Sequence, residues 1–139
     1  MDALSRLKLL IVEDDGEARI MLRDIVKSLN VASAHLAADG VEAIQLLEAY
    51  KGKINLIIAD WQMPGLSGLQ LLEHVRQTDT RMPFLMVTGK ADIDAVKAAM
   101  HRGVSAYIAK PFSRAQIEIK LRVLARNMFR PINVQLRSA

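Results

Sequence analysis

Leu56-Ile57-Ile58-Ala59-Asp60-Trp61-Gln62-Met63-Pro64-Gly65 is the stretch on which the reading of this chain turns. Four apolar residues run without interruption and are followed by a turn former, the pattern of a short strand covered on both faces. A carboxylate, Asp60, stands where the run stops, and Pro64-Gly65 then bends the chain. Three other apolar runs stop on chemistry in the same way. Leu9-Leu10-Ile11-Val12 ends on Glu13 and Asp14, Leu85-Met86-Val87 on Thr88, and Tyr107-Ile108-Ala109 on Lys110. Strands of a parallel sheet share one carboxyl edge, and ligands of open α/β sheets bind outside that edge. Acid, acid, hydroxyl and amine at four strand ends therefore describe a reaction site rather than scattered surface charge.

Outward from this stretch, short apolar runs alternate with longer segments of helical period, which predicts βαβ units around a doubly wound, five-stranded parallel sheet in a three-layer α/β sandwich. The spacing places strands near residues 7–13, 32–37, 54–60, 83–88 and 104–109, and helices near 15–29, 40–51, 66–78, 91–102 and 113–128. In the first helix Ala18, Leu22, Ile25, Val26 and Leu29 recur at three and four, while Arg19, Arg23 and Lys27 take other faces. Ala32-Ser33-Ala34-His35-Leu36-Ala37 is weakly apolar and is expected at a sheet edge. Asp39-Gly40, Gly52, Pro64-Gly65, Gly103 and Pro111 separate the elements.

With 139 residues, 51% hydrophobic and 24% charged, the chain has the composition of one globular domain. Cysteine is absent, which excludes disulfides and thiolate metal sites. Neither a basic-then-apolar leader nor an apolar run of about 18 residues occurs, so the cytoplasm is the expected compartment and no membrane partner is expected. The net charge of +4 is uneven. Residues 114–139 hold six basic residues against the single acid Glu118, so basicity belongs to the last helix and the tail and not to a nucleic-acid groove across the body. A basic helix end also suits the helix macrodipole.

Adjacent acids with a third carboxylate at a neighbouring strand end can hold a hard cation through oxygen, with Mg²⁺ the best fit. Asp15, a third consecutive acid, could replace one of the pair, but a residue opening a helix is commonly its cap. A carboxylate beside a divalent cation is a nucleophile toward phosphorus. Phosphoryl transfer spreads charge over three oxygens and needs a cation, a fixed positive side chain and hydrogen-bond donors. A divalent ion, Lys110 and Thr88 supply these, and Gly89 leaves space for the group.

Ile11-Val12-Glu13-Asp14, Asp60-Trp61-Gln62-Met63-Pro64, Val87-Thr88 and Lys110-Pro111-Phe112 together resemble the receiver domain of bacterial response regulators, over residues 7 to about 127. Tyr107 through Phe112 resembles the single-domain chemotaxis type. The resemblance implies a flavodoxin-like (βα)₅ receiver over residues 1–127 with a C-terminal extension, 128–139, in place of an output domain. It implies that Asp60 accepts a phosphoryl group from a histidine kinase or a histidine phosphotransfer protein. Asp14, Asp60 and the Gln62 backbone carbonyl would bind Mg²⁺, or Mn²⁺ as a substitute, with Glu13 acting through water. Lys110 would pair with a phosphoryl oxygen, Thr88 would move to bond it, and Tyr107 would swing inward, repacking the face of helix four, strand five and helix five. A cis bond before Pro111 is also implied.

Gln62 and Lys90 lie two residues beyond Asp60 and Thr88, flanking the route of hydrolytic water in receivers, and are expected to set phosphoryl lifetime. In the fifth helix Ile117, Leu121, Leu124 and Met128 form the core stripe, which turns Ile119 and Val123 outward between Arg122 and Arg126. That face is expected to dimerise or to bind a downstream protein target. The tail, with Phe129, Ile132 and Val134, is too short and proline-broken for a helix-turn-helix, so direct DNA binding is not expected. His35, His74 and His101 share no ligand spacing, and Met63, Met82, Met86 and Met100 read as core or loop filler.

Three rival readings remain beside the receiver. A haloacid-dehalogenase-like phosphohydrolase would need a second aspartate at position 62. A phosphate-independent pseudo-receiver would not need the full set of acids, threonine and lysine. A flavodoxin-like cofactor binder would need a Ser/Thr-rich loop where Glu13-Asp14-Asp15 stands.

Overall fold

The computed structural model describes residues 2–89 and 93–130. Among them five strands, β1 (Lys8–Val12), β2 (Ser33–Ala37), β3 (Leu56–Asp60), β4 (Phe84–Thr88) and β5 (Ala106–Ala109), alternate with helices α1 (Gly16–Ser28), α2 (Gly40–Ala49), α3 (Gly68–Thr78), α4 (Ile93–His101) and α5 (Arg114–Met128). Every strand pair is parallel and the order is β2-β1-β3-β4-β5. The chain winds outward from β1 in one direction and returns through β3 in the other. This reversal opens a crevice above the ends of β1 and β3.

Successive residues of a strand face opposite sides of the sheet, and the core divides accordingly. Leu9, Ile11, Leu56, Ile58, Leu85, Val87 and Ile108 face α1 and α5, while Leu10, Val12, Ile57, Ala59, Phe84 and Met86 face the layer of α2, α3 and α4. Strands β3 and β4 are buried throughout, as their continuous apolar runs require. β2 is the weak edge strand expected, with only Ala37 buried.

All five helices run back from the carboxyl edge, so their N-termini surround it. Asp15 accepts a hydrogen bond from the Ala18 N–H at 3.1 Å and Asp39 one from the Glu42 N–H at 2.8 Å. Ser67 with Gln70 and Ser113 with Gln116 form reciprocal capping boxes on α3 and α5. Asp15 is therefore a helix cap.

A short 3-10 helix, Ala3–Arg6, precedes β1 where sequence patterning foresaw no element. Leu4 and Leu7 are buried in the α1/α5 layer, Arg122 donates to both Asp2 carboxylate oxygens at 3.1 Å, and the Arg6 guanidinium lies 4.1 Å from the Phe129 ring centre. Phe129 thus packs back on the body; Ile132 and Val134 lie outside the described residues. Met100 corrects the reading of it as filler, being 61% exposed on α4. Among the described residues no helix is long and apolar enough to cross a membrane.

Candidate functional site

Glu13, Asp60 and Thr88 are the buried polar or charged residues of the described core, and all three stand at the carboxyl edge. Glu13 follows β1, with its N–H bonded to the Ala37 carbonyl at 3.1 Å. Asp60 ends β3 opposite Val87 of β4, and Thr88 ends β4 opposite Ala109 of β5. Register alone brings four distant segments within reach of one another. Carboxylate oxygens of Glu13, Asp14 and Asp60 lie within 4.8 Å of each other.

Three carboxylates at such separations repel unless cations intervene. Lys110 supplies one, donating from Nζ to Glu13 Oε1 at 2.6 Å and to Asp60 Oδ2 at 3.3 Å. Burial pulls its ammonium toward a lower pKa, but the hydrogen bond to Glu13 and the charges of Asp60 and Glu13 outweigh it and hold the group above the ordinary lysine value. Lys110 is anchored by its own N–H, which donates to the Thr88 carbonyl at 2.7 Å, and its bond to Pro111 is cis as the resemblance implied.

The acids differ in what they leave free. Glu13 is the acid most tightly engaged by Lys110, with Oε1 2.6 Å from its Nζ and Oε2 accepting from the Asp15 N–H at 3.2 Å. Asp60 accepts from Lys110 at one oxygen and from the Gln62 N–H at 3.2 Å at the other, keeping lone pairs on both. Asp14 is exposed, and among the described residues its carboxylate has no hydrogen bond or ion pair. Hard oxygen donors with unused lone pairs fit Mg²⁺. Asp14 and Asp60 could hold it, with Glu13, drawn toward Lys110, beside them. A Cβ built on Gly89 would meet nothing among the described residues within 4 Å, so they leave space beside Thr88.

The structure brings together Glu13, Asp14, Asp60 and Lys110, with Thr88 on the adjoining strand end and Gln62 exposed just beyond Asp60. Tyr107 lies apart on β5, 40% exposed, with the Lys120 ammonium 5.7 Å from its ring centre. Lys90 lies outside the described residues. Ile119 and Val123 face outward at 62% and 50% exposure, and Arg126 is exposed beside them. Arg122, on the same helix, pairs with Glu118 and Asp2.

Two site residues escaped sequence reasoning. A Cβ on Gly68 would come within 2.6 Å of the Asp60 carbonyl oxygen and 2.7 Å of Trp61 Cα, so only glycine lets α3 start against the acceptor. Its place just after the Pro64-Gly65 turn was the available signal. Arg19, read as an outward helix residue, folds back and donates from Nη1 to the Glu13 carbonyl at 2.8 Å. A cation one turn into a helix that begins at the acid pair could have drawn attention.

The model of the response regulator receiver domain family matches residues 9–122. Chemotaxis protein CheY-3 of Vibrio cholerae is 33% identical over 117 residues, covering 83% of this chain and 88% of that protein. Chemotaxis protein CheY of Pseudomonas aeruginosa is 32% identical over 117 residues, covering 83% and 93%. Among solved structures, a CheY-like response regulator receiver domain protein from Methanospirillum hungatei superposes with TM-score 0.80 at 26% identity, covering 88% of this chain and 96% of that one. Chemotaxis response regulator CheY4 of Vibrio cholerae gives 0.77 at 26% identity, covering 86% and 98%. With this fold and this acid, hydroxyl and amine constellation, the chain belongs to the response regulator receiver domain family of two-component signalling proteins.

Proposed function

We propose that this protein is a stand-alone receiver that takes a phosphoryl group from the phosphohistidine of a kinase or phosphotransfer protein onto Asp60 and passes the signal by protein contact in the cytoplasm. The observation that carries this reading is the geometry of Asp60, buried yet left with lone pairs on both oxygens, beside an ammonium and two further carboxylates. Asp60 attacks phosphorus, the P–N bond to the donor imidazole breaks, and that nitrogen leaves with the electron pair and takes up a proton. Lys110 then stands 3.3 Å from the acceptor oxygen, placed to pair with the incoming oxyanion. Thr88, buried one strand away, is positioned to donate to the same group. Mg²⁺ held by Asp14, Asp60 and the Gln62 carbonyl, with Glu13 through water, would lower the repulsion between carboxylate and phosphoryl charge.

Intact-mass measurement after incubation with acetyl phosphate and Mg²⁺ tests the reading. Wild type gains one phosphoryl group and Asp60→Asn gains none; equal gain by both would remove Asp60 from the role. Gln62 stands close enough to the acceptor to orient or exclude attacking water, and Lys90 is proposed as its counterpart. Dephosphorylation rates unchanged in both Gln62→Ala and Lys90→Ala would end that assignment.

For output, Tyr107 and the outward Ile119 and Val123, with Arg126 beside them, present apolar surface edged by charge. This face of α4, β5 and α5 is proposed to contact a downstream protein or a second copy when Tyr107 turns inward. Ile119→Asp should leave Asp60 labelling intact and weaken phosphorylation-dependent association by tenfold or more, read by sedimentation and by target pull-down. No change in either would remove the face from consideration.

A further inference from the structure

The assigned machinery leaves open what holds Asp14 in place. It is the exposed ligand of the acid cluster, and among the described residues nothing bonds its carboxylate. A free aspartate samples several rotamers, and a metal ligand that must first be ordered binds more weakly. Its position must come from the backbone on either side. Both flanking peptide groups are pinned. The carbonyl of the Glu13–Asp14 peptide accepts from Arg19 Nη1 at 2.8 Å, and the N–H of the Asp14–Asp15 peptide donates to Glu13 Oε2 at 3.2 Å.

Arg19 is itself well placed for this work. Its N–H donates to the Asp15 carbonyl at 2.9 Å in the first turn of α1, so its Cα is fixed to the same loop that it braces. A Cβ on Gly16 would stand 3.7 Å from Arg19 Nη2, which puts the guanidinium back over the start of its own helix. The Glu13 carbonyl, beyond the last residue of β1, would otherwise need water or another donor. We propose that Arg19 is a positioning residue for the divalent cation: by clamping the Glu13 carbonyl it fixes the peptide that carries Asp14, and so sets the affinity of the acid cluster for Mg²⁺. The inference rests on the reading of that cluster as a Mg²⁺ site. Outer partners of metal ligands typically change affinity by about 10 to 100-fold when removed.

The test is a Mg²⁺ titration of wild type, Arg19→Met and Arg19→Ala, read by Trp61 fluorescence and by the rise in melting temperature, at about 0.1 M and 1 M KCl. Arg19→Met keeps the apolar stem and removes only the donors and the charge. The expected result is Mg²⁺ affinity lowered by about tenfold in both variants. Removing a cation favours Mg²⁺ through space, so the loss should persist or grow at high salt, where the screening length falls to about 3 Å and that opposing effect fades. At saturating Mg²⁺, acetyl phosphate labelling of Asp60 should return to the wild-type rate, separating a binding role from a chemical one. Affinity unchanged or raised at 1 M KCl would overturn the proposal. No Mg²⁺ response in wild type would instead overturn the site reading beneath it. Should both variants fail to fold, nuclear magnetic resonance of wild type decides: a slowly exchanging Arg19 guanidinium supports the clamp and a freely exchanging one contradicts it.

Discussion

The two edges of the sheet are built under the same rule, that backbone groups leaving a strand must find partners, yet they use side chains differently. At the amino edge Asn55 accepts from the Lys8 N–H at 2.7 Å and donates to the Arg6 carbonyl at 3.0 Å, joining the entries of β1 and β3. Ser105 accepts from the Phe84 N–H at 3.0 Å, and Arg76 donates to the carbonyls of Asp79 and Gly103 at 3.2 and 2.7 Å. Polar side chains there close backbone ends. At the carboxyl edge Asp14 and Asp60 keep lone pairs unused, and two of the three clustered carboxylates share one ammonium. At the amino edge side chains close backbone groups, with Arg76 Nε the buried donor left without a partner among the described residues, whereas the carboxyl edge gathers carboxylates with lone pairs open to a cation. Function is located by the edge that gathers charge.

That contrast can be broken first at Lys110. Lys110→Met should lower the rate of Asp60 labelling by acetyl phosphate by about 100-fold or more, since a fixed charge at the developing oxyanion is lost. Labelling at the wild-type rate, followed by mass spectrometry over time, would show that the ammonium serves only to pair Glu13. A smaller effect is expected at Gly68. Gly68→Ala forces a Cβ against the Asp60 carbonyl and Trp61 Cα, and should cost about 1–3 kcal/mol in urea unfolding together with slower labelling. At the amino edge Asn55→Ala should cost about 1–2 kcal/mol through two lost hydrogen bonds, with labelling of Asp60 unaltered. Impaired labelling there would mean that the edges are coupled and that the contrast is too simple.

How much of this was legible beforehand follows from the physics of each signal. β3 and β4 announce themselves because burial on both faces demands unbroken apolar runs, and the polar residue ending each run is the one that reaches the site. β2 was recognisable as an edge because His35 and Ser33 interrupt it. The 3-10 helix was invisible: four residues carry no period, and Leu4 and Leu7 become meaningful only when α5 lies against them. Gly68 and Arg19 were missed for a related reason. A close approach of α3 to Trp61, or a guanidinium folded back to a carbonyl, depends on how helices seat against the sheet, which spacing along the chain does not encode. The pairing of Arg122 with Asp2 was hidden because Asp2 is distant in sequence and belongs to the unforeseen N-terminal segment.

The account depends above all on Asp60 being the atom donor to phosphorus. Borohydride trapping after acetyl phosphate treatment in Mg²⁺, followed by peptide mass mapping, reads this directly, because an aspartyl phosphate is reduced to homoserine at the residue that carried it. The account predicts homoserine at position 60, abolished when the metal is chelated. Homoserine at Asp14 or another acid, or none at any position while phosphoryl mass is gained elsewhere, would contradict it.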